Sequence, residues 1–470
     1  MFFPNSTVKQ RRIHFVGIGG IGMSGIAEIL LNLGYTVSGS DLRGSATTAR
    51  LASLGARISE GHAAVNIEGA DAVVLSSAIR DDNPEWQAAR KAQVPVIRRG
   101  ELLAELMRLK YGIAIAGSHG KTTTTSMTAA VLHHSGKDPT IVVGGRVDSM
   151  GSNARLGKSD LLLVEADESD GSFLKLAPIV AVITSLDEEH LDHYHSFEAL
   201  QDAFVEFANK VPFYGATIVA IDDENIRSIL PRIQRKVRTY GEAADADLVA
   251  FEIDCNPLGS HFRARYQGDD LGPFEVKGFG LHNVRNALAA MMVGLELDVP
   301  VEVVRQGLRS FTGVDRRFQV RGKQAGVTVI DDYGHHPTEI AATLAAARTC
   351  DFRRVHVVFQ PHRFSRTQLL ADEFSRCFKD CDNLYVLEIY GAGESPIAGV
   401  DAEGLVDKIR AAGHAAVQYM DSMDAAVRAA AAAARAGDAI ITLGAGSISQ
   451  AGEPLLARLA AGRESLTTAG

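Results

Sequence analysis

Gly117-Ser118-His119-Gly120-Lys121-Thr122-Thr123 sets a lysine and two hydroxyls directly behind a glycine turn, after the apolar run Ile113–Ala116 and before a helical stretch. The backbone N–H groups of such a turn and the Lys121 ammonium cradle the phosphates of ATP, and a threonine hydroxyl serves Mg²⁺. The residue five before Gly120 is Ile115 rather than glycine, so the general Walker spacing is not met. The order strand, glycine turn, Gly-Lys-Thr, helix is kept. A merely structural turn would leave Lys121 and four consecutive threonines without a packing purpose.

A second turn, Gly17-Ile18-Gly19-Gly20-Ile21-Gly22, follows the run Ile13–Val16 and precedes a helical pattern over Met23–Leu33, with Asp41 closing the next strand. Glycines there allow a tight turn and close approach of a diphosphate to a helix N-terminus, and Asp41 can accept a ribose hydroxyl. The chemistry specifies a nucleotide diphosphate rather than NAD in particular, and tight packing without a ligand is the plain alternative.

Two acidic clusters follow very apolar strands: Glu165-Ala166-Asp167-Glu168-Ser169-Asp170 and Asp187-Glu188-Glu189-His190-Leu191-Asp192. Beside a phosphate loop such carboxylates are natural Mg²⁺ ligands, and an imidazole can join them; a solvated acidic loop is the plain alternative for either cluster alone. Asp331-Asp332-Tyr333-Gly334-His335-His336-Pro337-Thr338 carries adjacent histidines that point differently from a loop and lack a third ligand at metal spacing. Contact with substrate or nucleotide fits it better. Arg363 and Arg366, in Gln360–Thr367, suit carboxylate or phosphate clamping, against the alternative of surface ion pairs. His282, Asn283 and Asn286 open another helix, where capping is the competing role for Asn283.

The elements that must carry these residues are short apolar runs, each ending in glycine or a polar residue and followed by a helical pattern. In the first half these are Ile13–Val16, Ala72–Leu75, Ile113–Ala116, Leu161–Val164 and Val180–Ile183; in the second, Val327–Ile330, Val355–Phe359, Leu384–Leu387 and Ala439–Leu443. This is the grammar of parallel α/β sheets, in which ligands bind beyond the carboxyl ends of the strands, where Gly17–Gly22, Gly117–Thr122, Glu165–Asp170, Asp187–Asp192, Asp331–His336, Gln360–Arg366 and Gly444–Ser447 lie. Ala246–Phe279 alternates instead, with turn signals at Asn256–Gly259 and Gly268–Gly272, and predicts inserted antiparallel strands. The alanine-rich stretch Met423–Ala436 reads as helix.

The 470 residues suggest about three domains at roughly 150 residues each. Boundaries near Arg108–Tyr111 and Gly313–Phe318 give 1–108, 109–318 and 319–470, with a two-domain chain as the other cut. A net charge of −9 argues against a general basic field for nucleic acid or anionic membrane. The four cysteines form no CxxC pair, so Cys377 and Cys381 are expected to be reduced thiols. No apolar leader opens the chain and no run is long enough to span a bilayer, which predicts a soluble, cytoplasmic protein.

The motifs VGIGGIGMSGIA, AGSHGKTTTT, EADESDGSF, EEHLDHY, HNVRNALAA, DRRFQ, DDYGHHPTE, QPHRFSRT, GAGESPI and LGAGSI together resemble the Mur ligases of bacterial peptidoglycan synthesis over nearly the whole chain. The resemblance implies a Rossmann-like domain for UDP, a central P-loop-like ATPase domain, and a C-terminal α/β domain that helps bind the amino acid and closes over the site. It implies ATP with two Mg²⁺ ions, and UDP-N-acetylmuramate and L-alanine as substrates. By the same resemblance Lys121, Glu165, His190, His335 and Arg363 are catalytic, with metal on Thr122 or Thr123, Glu165 and His190. His282, Asn283 and Asn286 would meet adenine, Asp332 the ATP ribose, and Arg316 or Arg317 phosphates at the hinge. Gly17, Gly19, Gly20, Gly22, Asp41 and Asp192 would hold the sugar nucleotide, and His335 and Arg363 the alanine end.

Ser118 stands where the family usually has threonine and His193 where it has threonine or arginine. Glu206 falls near the place of a carbamylated lysine in several relatives and would supply its charge unmodified. A relative that reattaches recycled peptide shares much of this pattern and is the second reading. An NAD-dependent dehydrogenase, resting on the first turn alone, and an ATP-switched assembly protein are readings of other classes; both leave residues unexplained.

Overall fold

A computed structural model describes residues 11–76, 78–147, 152–256 and 259–467. The first sheet is fully parallel, with strands ordered Arg57–Glu60, Thr36–Asp41, Arg12–Val16, Ala72–Leu75 and Val96–Arg98. This is the mononucleotide-binding half of a doubly wound fold, whose order reverses beside the central strand that carries the first glycine turn.

The second sheet has ten strands. Tyr111–Ala116 lies between Val180–Ile183 and Leu161–Glu165, parallel to both, so the phosphate loop emerges at the point where the strand order reverses. Val180–Ile183 is buried at every position, as it must be with both faces covered. The strands Leu248–Asn256, Gly259–Tyr266 and Asp269–Val276 do not form a separate insertion; they extend one edge of this same sheet, and Leu248 and Val249 pair in parallel with Tyr240 and Gly241. The second turn is tighter than expected. Gln267 and Gly268 both take positive φ, while Gly272 lies inside the last strand with φ +81°.

The third sheet orders Gln319–Gln324, Val327–Asp332, Ala439–Leu443, Val355–Phe359, Asn383–Leu387 and Val417–Met420, all parallel except the first, which pairs antiparallel with the second. Its core includes Ile330, Leu344, Val357, Phe359, Phe374 and Ile441. Cys350, Cys377 and Cys381 are free thiols there, and burial pushes Cys381 up to about 12.

The chain divides into two compact units, one of Met1–Glu252, Phe262–Val276 and Val284–Thr312, the other of Ile253–His261, Lys277–Asn283 and Gly313–Gly470. The first sheet and most of the second belong to the former, where helix Arg99–Arg108 leads into strand Tyr111–Ala116. Among the described residues, no helix is long and apolar enough to cross a membrane.

Candidate active site

The phosphate loop is shaped by two glycines that no other residue could replace. Gly117 has φ +131° and lies so close to Thr184 that a Cβ would sit 2.2 Å from its Oγ1; Gly120, φ +82°, precedes helix Lys121–His134 and faces Asn286. The loop is tied to the end of strand Val180–Ile183. Thr184 Oγ1 and Ser185 Oγ reach the His119 backbone, Ser118 Oγ accepts from Asp187 N at 2.8 Å, and a His119 ring nitrogen lies 3.0 Å from Asp187. Ser118 thus does here what a threonine hydroxyl would do.

The consecutive threonines do have a packing role, contrary to expectation. Thr124 donates to Asn286 Oδ1 at 3.1 Å and Thr125 to the Lys121 carbonyl, so their hydroxyls are satisfied inside a helix buried almost all round. Thr123 is buried too, and it is Thr122 whose hydroxyl meets Glu165, at 2.9 Å.

Lys121 donates to the carbonyls of Gly117 (2.6 Å) and Ser118 (3.2 Å) and to Glu168 Oε1 (2.7 Å). Burial pulls its pKa down, but Glu168, Glu189 and Glu165 outweigh burial and the ammonium is held above the usual lysine range. It is charged at any working pH. Glu168, absent from the residues assigned singly by sequence, is the centre of the arrangement: 1% exposed, paired with Lys121, 3.5 Å from His190, and with a buried Oε2 atom that has no hydrogen-bond partner among the described residues. Tyr194 holds it in place by donating to its carbonyl at 2.6 Å. The only early sign of Glu168 was its membership of an acidic run.

Glu168, Glu189 and His190 present one ligand atom each within 4.8 Å of one another. Two carboxylates and an imidazole suit a hard divalent cation, and the orphaned Glu168 oxygen is an acceptor that such a cation would satisfy, so these residues fit Mg²⁺. Glu168 and Glu189 enter where Glu165 was expected to stand with His190. The Asp192 side chain lies outside the described residues. Glu206 does not supply the expected charge: it pairs with Lys210 on the exposed face of helix Phe197–Asn209.

In the first sheet, the Asp41 carboxylate is engaged by backbone N–H groups. One oxygen accepts from Gly19 N and the other from Leu42 N, each at 2.8 Å. Gly17 has φ +79° and abuts Ser76, a close approach that forms the turn. The helix begins at Ile21 with Gly20 as its N-cap, two residues earlier than predicted, which brings Gly22 into its first turn.

The second unit gathers the remaining expected residues. Asp332 is buried and accepts from Phe318 N and Gly334 N at 2.7 Å each; burial, opposed by Arg317 and these bonds, raises it to about 6. It organises the loop rather than offering itself to a ribose. Arg316 binds Asp331 and the Gly444 carbonyl, Arg317 binds Glu339, and both guanidiniums lie over the Tyr333 ring. A His335 ring nitrogen is 3.1 Å from the Tyr333 carbonyl, and the ring meets His362 edge-on. Arg363 adopts φ +72°, a strained value for an arginine, held by its N–H to Tyr390 and by Glu394, which accepts from Ser365. Glu394 was not foreseen. On their shared helix, Asn283 donates to the Phe279 carbonyl and contacts His282, while Asn286 serves Thr124.

His362 stacks on Tyr390, and burial, followed by Arg366 and Arg363, pulls its pKa down to about 4. Its folded value lies below the ordinary 6.5, so the neutral ring is preferred; that stability is present above pH 6.5 and is lost as pH falls toward 4. A ¹H NMR titration should give its C2 proton a midpoint near 4, whereas a midpoint near 6.5 would contradict the packing described.

A lysine-bearing phosphate loop beside a buried carboxylate–imidazole cluster, on a ten-stranded α/β sheet, is the equipment of an ATP-dependent ligase. Comparison with known proteins bears this out. Residues 12–111 match the family model described as Mur ligase family, catalytic domain; 115–294 the Mur ligase middle domain; and 316–446 the Mur ligase, glutamate ligase domain. The chain belongs to the Mur ligase family. It is 60% identical to a UDP-N-acetylmuramate–L-alanine ligase of Solibacter usitatus over 98% of this chain and 96% of that one, and 57% identical to the enzyme of that name from Koribacter versatilis, over 96% and 98%. The crystal structure of a UDP-N-acetylmuramate–alanine ligase from Thermotoga maritima superposes with TM-score 0.79 at 28% identity, covering 95% of this chain and 98% of that one. A murein peptide ligase from Psychrobacter arcticus gives 0.68 at 25%, over 96% and 99%.

Proposed function

We propose that this enzyme joins L-alanine to the lactyl carboxylate of UDP-N-acetylmuramate in the bacterial cytoplasm, with release of ADP and phosphate. The observation that carries this reading is the Lys121–Glu168 pair at the phosphate loop, in a chain 60% identical over nearly its full length to an enzyme of that name. A carboxylate repels nucleophiles and has no leaving group, so ATP must phosphorylate it first. The neutral amine of alanine then attacks the acyl phosphate, and the tetrahedral adduct expels phosphate to leave the amide. Lys121 stabilises charge on the transferring phosphoryl group from a fixed position. Thr122, Glu165, Glu168, Glu189 and His190 are the residues that would hold Mg²⁺, which when bound draws charge from the phosphate oxygens. Asn286 is assigned to adenine, Arg316 and Arg317 to phosphates, and His335 and Arg363 to the amino acid, the arginine facing its carboxylate.

The test is phosphate release with UDP-N-acetylmuramate labelled with ¹⁸O in its carboxylate, run with each amino acid and with the recycled tripeptide. Alanine should give the highest kcat/KM, and one ¹⁸O should appear in phosphate per turnover, with none in ADP. Preference for the tripeptide would move the enzyme to the recycling reaction, and unlabelled phosphate would exclude the acyl phosphate.

Asp41→Ala is expected to weaken the sugar nucleotide by about tenfold, because the Gly19 amide loses the carboxylate that sets the turn. ATP affinity should stay within twofold. A parallel loss of ATP binding in calorimetry would contradict the assignment of the two glycine turns to different ligands.

A further inference from the structure

The first glycine turn carries a charge problem. Two phosphates on a helix N-terminus meet only about half a unit of positive charge from the helix, and here the Asp41 carboxylate already occupies the Gly19 amide. A cation close to the turn is needed. Gly22, in the first turn of helix Ile21–Asn32, is where one lies: a Cβ there would sit 2.8 Å from Arg99 Nη1 and 2.9 Å from its Cδ. The arginine side chain therefore lies against Gly22 itself, from Cδ to Nη1.

Arg99 is also under-used. A guanidinium has five N–H donors, yet among the described residues its hydrogen-bond partner is Asp167 alone, through Nη2 at 3.3 Å. Its neighbour Arg98 is engaged with the Ser76 carbonyl and the Trp86 ring. Arg99 lines a cavity of about 250 Å³ with Gly100, Ser172 and Lys175. Around that cavity the first domain meets the acidic loop closely: a Cβ on Gly100 would lie 2.8 Å from that of Ser172, and Lys175 pairs with Glu101 at 2.7 Å. Asp167, which Arg99 touches, precedes the Glu168 that holds Lys121.

We propose that Arg99 is a binding residue for the diphosphate of the sugar nucleotide and that Gly22 is glycine to admit its side chain; this rests on the sugar-nucleotide reading above. The guanidinium offers its unused donors to the phosphate oxygens while Asp167 orients it from the other side. The third glycine of the turn thereby serves an arginine from a distant segment as well as the backbone.

The test is calorimetric binding of UDP and, separately, ATP to the full chain and to its Arg99→Ala, Arg99→Lys and Gly22→Ala variants. Loss of a charge-assisted contact should weaken UDP by about tenfold or more in Arg99→Ala, and less in Arg99→Lys, which keeps the charge without the fork. Gly22→Ala should mimic Arg99→Ala because the new methyl displaces the guanidinium, and ATP binding should stay within twofold in all three. UDP binding by Arg99→Ala within twofold of the unmodified chain would overturn the role of Arg99 alone. Failure of the unmodified chain to bind UDP would overturn the sugar-nucleotide reading and this proposal together. Should Gly22→Ala not fold, the partly exposed Arg99 position decides the matter.

Discussion

Lys121→Ala is expected to lower ligation by about 10³-fold or more, since the ammonium that the Gly117 carbonyl and Glu168 hold at the phosphate loop is the one we assign to the transferring phosphoryl group. The structure adds a second consequence that the loop's exposed position in the sequence concealed. Glu168 is buried, and without Lys121 it would be an anion with only His190 and backbone dipoles to balance it. Breaking one side of a buried pair costs about 3–5 kcal/mol, so the variant should melt at a lower temperature while keeping its far-ultraviolet spectrum. Removing both partners restores the balance. Lys121→Ala/Glu168→Ala should therefore recover part of the lost stability and none of the activity. Recovery of activity in the double variant, or loss of secondary structure in the single one, would contradict the assigned role.

Glu168→Gln is expected to cost on the order of 10²-fold in kcat/KM at low Mg²⁺ and to move the Mg²⁺ dependence to higher concentration. The substitution keeps the side-chain shape but removes the charge that joins Lys121 to the Glu189–His190 pair. Lys121 would then fall back on the Gly117 and Ser118 carbonyls, which fix its position but not its distance from the acidic loop. His190→Ala should shift the same titration in the same direction, and Glu165→Gln by less, because Glu165 meets Thr122 and is not one of the three clustered ligand residues. A Mg²⁺ titration unchanged in Glu168→Gln would put the divalent cation elsewhere.

The two glycine turns, the parallel α/β grammar and the placement of most motifs past a strand end were legible because each is a local property. An apolar run of four or five residues can only be a buried parallel strand when helical patterns flank it, and a lysine behind two glycines has few structural uses. The roles of individual carboxylates were not local. Asp41 and Asp332 look like open ligands in the sequence, yet both oxygens of each accept backbone N–H groups, one from the next residues of the chain and one from a separate segment, Gly19 for Asp41 and Phe318 for Asp332. Glu206 looked like a charge for the site, and helix phase turned it outward to Lys210.

Glu168 and Arg99 mark where that reading stopped. Glu168 sits in a run of four acidic side chains within six residues, and nothing in their order says which one the loop folds inward; that depends on Tyr194 gripping its carbonyl from another segment. Arg99 is one of two adjacent arginines, and only the packing of Gly22 against one of them distinguishes it. Composition, strand periodicity and turn chemistry belong to neighbours along the chain and so fix the class of fold and the nucleotide chemistry. Burial and charge pairing belong to neighbours in space, such as Arg99 and Asp167, 68 residues apart along the chain, and arise only when the sheets assemble.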